Sequence, residues 1–167
     1  MLKLNYIGIV AGILAFVSIA LSWWTISASA TGYPTTSSDL YLYQVGTVSG
    51  LVIEAWFVWA ALALIIIGGI LAIVGSVIAK GKRILLGGGV LALTSIIIFA
   101  VGLQMELSRL GAPFGLFSSI SQTVGDITIN YSTYLSFGFW IALVAAILCF
   151  VAYIKHPMET VTAPPTT

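Results

Sequence analysis

Titratable chemistry is scarce in this chain, which holds one cysteine, Cys149, one histidine, His156, and only 6 Lys and Arg against 5 Asp and Glu. A lone cysteine excludes an intramolecular disulfide, and inside an apolar run it reads as a small hydrophobe. Haem in a membrane bundle takes axial histidines, often two, while zinc and copper need clustered His and Cys, so none of these groups fits. A Ser, His and Asp triad fails too, because His156 is expected on one side of a bilayer and Asp39 and Asp126 on the other. The net charge of +1 supplies no basic field for nucleic acid. No enzymatic activity and no cofactor are expected.

What is abundant is apolar surface. Hydrophobic residues make up 60% of the chain and charged ones 7%, against about 25% charged in a soluble domain. Such a chain needs lipid around its outer face. A spanning helix takes about 20 apolar residues, since nothing in hydrocarbon satisfies free backbone groups. Four stretches of this sequence meet that demand: 7–24, 55–79, 84–103 and 135–154. Lys80-Gly81-Lys82-Arg83 joins the second and third so tightly that they must be antiparallel neighbours. The first stretch follows Lys3 and precedes Ala28-Ser29-Ala30, as a secretory signal would. Its apolar run of 18 residues exceeds the usual signal core of about 7 to 15, so it reads as a retained span.

Orientation follows from positive charge, which is held on the cytoplasmic side. Lys3, Lys80, Lys82, Arg83 and Lys155 fall on one side of the spans and Arg109 alone on the other. Both termini are then cytoplasmic in a multi-pass protein of the cell membrane. Trp23, Trp24, Trp56, Trp59 and Trp140 all lie towards the outer ends of their spans, where an indole keeps its ring in the interface and its N–H near water.

Two outer loops, 25–50 and 105–134, contain strand-like runs, Leu40-Tyr41-Leu42-Tyr43-Gln44-Val45 and Ile127-Thr128-Ile129-Asn130-Tyr131-Ser132-Thr133, rich in β-branched and aromatic residues. A small extracellular sheet pairing the loops is expected. Phe114-Gly115-Leu116-Phe117 either packs under the second loop or meets the membrane surface or a partner. Asn130-Tyr131-Ser132 matches the N-glycosylation acceptor pattern on the outer side. The tail, 158–167, with Pro164-Pro165, reads as disordered. The fold expected is an all-α integral membrane protein, one domain built as a four-transmembrane-helix bundle with a small extracellular β-structured cap.

Within the spans, small residues recur every four positions: Gly8 and Gly12; Gly68, Ala72 and Ser76; Gly88 and Ala92; Gly138, Ala142 and Ala146. Such stripes let helix backbones approach, in the bundle or in a homo-oligomer. Charge near the middle of the spans is absent, which argues against a proton relay or an ion-coupled transporter. Glu54 and Glu106 lie at the outer ends of spans, with Gln104 nearby and Arg109 three residues beyond Glu106. A Glu54, Gln104, Glu106, Arg109 cluster would hold a polar headgroup, a quinone or an ion, or else clasp the second helix to the third.

Four spans with cytoplasmic termini, Trp23-Trp24 ending the first, two outer loops of strand character and a tight inner loop together resemble the claudin and peripheral-myelin-protein group of tetraspan proteins. The resemblance covers the whole chain as architecture. Trp23-Trp24 is the nearest counterpart of the Gly-Leu-Trp motif in the claudin first loop. The Cys pair that follows the motif there has no counterpart, and Gly115-Leu116-Phe117 stands in the other loop. The resemblance implies a non-enzymatic protein that assembles laterally, with itself or with other membrane subunits, as at a cell junction. The same composition suits a small archaeal or bacterial envelope protein, an accessory subunit of a respiratory or transport complex, or a lipid- or quinone-binding membrane protein.

Overall fold

The computed structural model describes residues 4–43, 47–48, 51–52, 56–78, 80–113 and 115–155. In chain order they form α1 (Tyr6–Ile19), β1 (Trp24–Ala30), β2 (Thr36–Leu40), β3 (Thr47–Val48), β4 (Leu51–Val52), α2 (Trp56–Val77), α3 (Lys82–Arg109), β5 (Ser118–Val124), β6 (Ile127–Leu135) and α4 (Phe137–Ile154). Strands β2, β1, β6 and β5 make a four-stranded antiparallel sheet in that order, and β3 pairs with β4.

The fold is therefore α+β, and the expectation of an all-α four-helix bundle with a minor cap is overturned. Three helices, α2, α3 and α4, are long and apolar enough to cross a membrane. The fourth, α1, has 14 residues, a length of about 21 Å against the roughly 30 Å of hydrocarbon. It stops at Ile19 rather than Trp24 because the backbone after it is claimed by the sheet. Trp23 N–H donates to the Leu40 carbonyl (2.8 Å) and Gly138 N–H to the Ser22 carbonyl (2.8 Å). The Trp23 indole N–H meanwhile donates to Ser18 O (2.8 Å), satisfying a carbonyl at the helix end.

The two loops do pair: the expected run 127–133 lies within β6, but its partner in the first loop is β1 and not the run beginning at Leu40. β1 runs antiparallel to β6 from Trp24 opposite Leu135 to Ala30 opposite Ile129. The run beginning at Leu40 supplies only the last residue of β2, and Gln44 and Val45 lie outside the described residues. β1 reads Trp-Thr-Ile-Ser-Ala-Ser-Ala, whose small residues carry little strand preference. Alternation with period two is its remaining signal, larger apolar groups on one face and hydroxyls on the other.

Each helix turns its small residues inwards. All ten members of the four small-residue stripes are buried, so these stripes serve packing within the chain. α1 lies between α2 and α4, and α3 closes the opposite corner against both. Gly68 and Gly88 mark a close approach of α2 to α3. A Cβ on Gly68 would stand 3.0 Å from Gly88 O, and one on Gly88 2.8 Å from Gly68 O. The Ser95 hydroxyl crosses the same interface to donate to Ala61 O (2.7 Å). The outward surface is the bulky one, with Val10, Ile13, Ile67, Ile70, Ile97, Val101, Val144 and Ile147 exposed.

Candidate functional site

The largest buried side chains gather where sheet meets helices. Trp23, Trp24, Phe57, Phe99, Leu103, Leu107, Leu40 and Ile26 all belong to this core. Trp23 meets Phe99 edge-on (centroids 5.0 Å) and Phe139 likewise (6.0 Å), and Phe99 in turn meets Phe57 (6.0 Å). Edge-to-face aromatic packing of this kind adds to the area term. The expectation that all five tryptophans form an interfacial belt is thus corrected: Trp23 and Trp24 are fully buried, whereas Trp56, Trp59 and Trp140 are about half exposed. Sequence placed the pair at the right end of the bundle and could not tell belt from core, since both positions ask for the same residue. The Trp24 indole N–H is buried without a hydrogen-bond partner.

α3 has 28 residues, about 42 Å of helix, and its last two turns rise beyond the apolar stretch to stand against the sheet. Those turns carry the expected polar cluster. Glu106 is 5% exposed, and Arg109 donates to it twice, Nε to Oε2 (2.9 Å) and Nη2 to Oε1 (2.6 Å). A buried carboxylate needs such a partner, and the forked guanidinium matches both its oxygens. Arg109 also puts positive charge at the C-terminal end of the helix dipole. Gln104 is exposed and lies two residues from Glu106, a spacing that sends side chains to different faces of a helix. Its amide lies instead beside Gly115. Glu54 lies outside the described residues. The pair Glu106 and Arg109 is therefore brought together, and Gln104 is turned away from it. Near them, Thr133 donates to Gly115 O (2.8 Å) and fastens the segment after α3 to β6. Of the apolar run around it, Leu116 packs on the core and Phe117 is exposed, while Phe114 lies outside the described residues.

One face of the sheet went unread in the sequence because β1 did. Ser37 on β2 pairs with Ser27 on β1, Ser27 with Ser132 on β6, and Ser132 with Ser119 on β5. A row of serines thus crosses all four strands, and the rows on either side continue the pattern. Thr25 donates to Asp39, Ser121 donates to Asn130, and Thr123 and Thr128 share a hydrogen bond. Asn130 is exposed in the midst of these small hydroxyls.

The opposite end of the helices is basic. Lys80, Arg83 and Lys155 are exposed, and the Lys82 ammonium sits 4.7 Å from the centroid of the Tyr153 ring, a cation–π contact. Asn5 ties the start of α1 to this end, through its N–H to Ser76 O (3.0 Å) and its Nδ2 to Ala152 O (2.8 Å). Lys3, His156 and the tail 158–167 lie outside the described residues. Cys149 is buried against Ala11, Ala72 and Leu148. Among the described residues no three of His, Cys, Asp and Glu converge as metal ligands would. No protein-family model matches the chain, and no curated protein matches it in sequence.

Proposed function

We propose that this chain is a non-enzymatic, multi-pass membrane protein that assembles laterally and presents its sheet outside the bilayer. The observation that carries the membrane reading is the packing of the helices, whose stripes of Gly, Ala and Ser are buried while many Ile and Val side chains face outwards. In water that surface would be an aggregation liability; against lipid tails it costs nothing, and close packing of small residues holds the helices together. The exposed Trp56, Trp59 and Trp140 sit at the sheet end and the lysines at the other, an arrangement that supports a cytoplasmic basic end and an outer sheet. α1 reaches from the basic end, at Asn5, to the sheet, at Ser18 and Trp23.

Assembly is supported by the rim of the sheet. Tyr33 and Ile127 are exposed there, in the turns far from the helices, and edge strand β5 carries neither charge nor proline. Such edges and aromatic tips suit contact with another chain. The claudin-like layout belongs to the same proposal. The outer lipid or quinone reading is weaker, because Arg109 already occupies both oxygens of Glu106.

Native mass spectrometry of the full chain, extracted gently from its own membrane, tests the proposal. A discrete homo-oligomer is expected. Unlike chains in fixed ratio would mean an accessory subunit instead, and a monomer under every mild condition would end the assembly reading.

A further inference from the structure

A shallow apolar groove of about 210 Å³ lies between α1 and α4, lined by Tyr6, Ile7, Val10 and Leu148. It opens on the lipid-facing side, where Tyr6 and Val10 are exposed. Lys155 follows Leu148 by seven residues, two helical turns, so the two share one face of α4. The rise between them is about 10 Å, while each leaflet contributes roughly 15 Å of hydrocarbon. With Lys155 at headgroup depth, the groove falls at the depth of the acyl chains beneath it. Lys82 is held over Tyr153, which stands two residues from Lys155 and hence on another face of α4. Among the described residues, Lys155 is thus the cation on the α1 side. Among the described residues the acidic groups, Asp39, Glu106 and Asp126, all belong to the sheet end, so nothing acidic described here opposes an anion at the basic end.

We propose that this groove binds one acyl chain of an anionic phospholipid whose phosphate is held by Lys155. The inference rests on the membrane reading and adds a ligand to it. An apolar groove alone would accept any lipid; the lysine in register with it selects the anionic one, at about fivefold per basic residue near the surface.

The test uses the full chain in phosphatidylcholine vesicles containing a minor fraction of phosphatidylglycerol. Flotation of the vesicles is read first. The protein is then released into mild detergent, and native mass spectrometry counts the lipid it retains. One phosphatidylglycerol is expected in preference to phosphatidylcholine. Lys155→Gln should lower its retention about fivefold, Lys155→Arg should preserve it, Val10→Trp should displace it by filling the groove, and Lys82→Gln should leave it unchanged. Equal retention of both lipids, or unchanged retention in Lys155→Gln, overturns the lipid site while leaving the membrane reading intact. Failure of the wild-type chain to float overturns both.

Discussion

At the residue scale, two pairs of side chains separate what position demands from what chemistry supplies. Trp23 and Trp24 are adjacent and equally buried, yet the indole of the first donates to Ser18 O and that of the second donates to nothing. Replacing Trp23 by Phe removes one hydrogen bond from the Ser18 carbonyl, at about 0.5 to 1.5 kcal/mol, beyond the loss of volume. Replacing Trp24 by Phe relieves an unsatisfied donor, which offsets part of its cavity cost. Thermal unfolding in detergent should therefore rank Trp23→Phe as the more destabilising of the two, and the reverse order would show that ring volume alone decides. Glu106 and Arg109 allow a similar comparison. Arg109→Ala removes the forked, charged partner of a buried carboxylate, whereas Glu106→Gln removes the charge that calls for the arginine. Arg109→Ala is expected to be the worse change by about 1 to 2 kcal/mol, discounted for the half-exposed arginine. Equal losses would mean that Glu106 is solvated or neutral in the membrane.

Asn130 belongs to this scale too. Its motif, its exposure and its surround of small hydroxyl groups leave room for a sugar. Expressed in a cell with the N-glycosylation pathway, the protein should gain mass that a glycosidase removes and that Asn130→Gln abolishes. An unmodified wild type, shown to have reached the cell surface, would count against the sheet facing outwards.

At the scale of elements, the helices and strand β6 were largely legible and the rest of the sheet was not. Helical spans depend on a sum of local apolar residues, so 55–79, 84–103 and 135–154 fell close to α2, α3 and α4. The departures are at the ends, where a tertiary partner decides. α1 stops early because Trp23 turns back onto Ser18 and enters the sheet. Leu135 ends β6 rather than starting α4, with Ser136 between them hydrogen-bonded to Ser22 (2.8 Å). β1 escaped notice since Ser and Ala mark no strand, and only its pairing on both sides fixes it as one. The interface of α2 with α3 gives the element-scale prediction. Gly88→Leu drives a side chain into the backbone of α2 at Gly68 and should abolish a folded, detergent-stable species. The same residue placed at Ile97, which faces outwards, should change stability by less than about 1 kcal/mol. Tolerance of leucine at Gly88 would show that α2 and α3 do not touch there.

At the scale of the molecule, a membrane orients what the fold only assembles. Lysines at one end and half-exposed tryptophans at the other imply that an amine reagent unable to cross the bilayer will leave Lys80 and Lys82 unmodified in sealed cells and modify them after permeabilisation. Labelling of intact cells would invert the proposed topology. Composition by itself determined where the long apolar helices lie and which end is basic, because hydropathy and charge are summed locally along the sequence. Tertiary structure alone decided that Trp23 and Trp24 are core and that serines line up across four strands. Those outcomes depend on the register of β1 with β6, which joins segments about a hundred residues apart, and no local window of sequence contains that pairing.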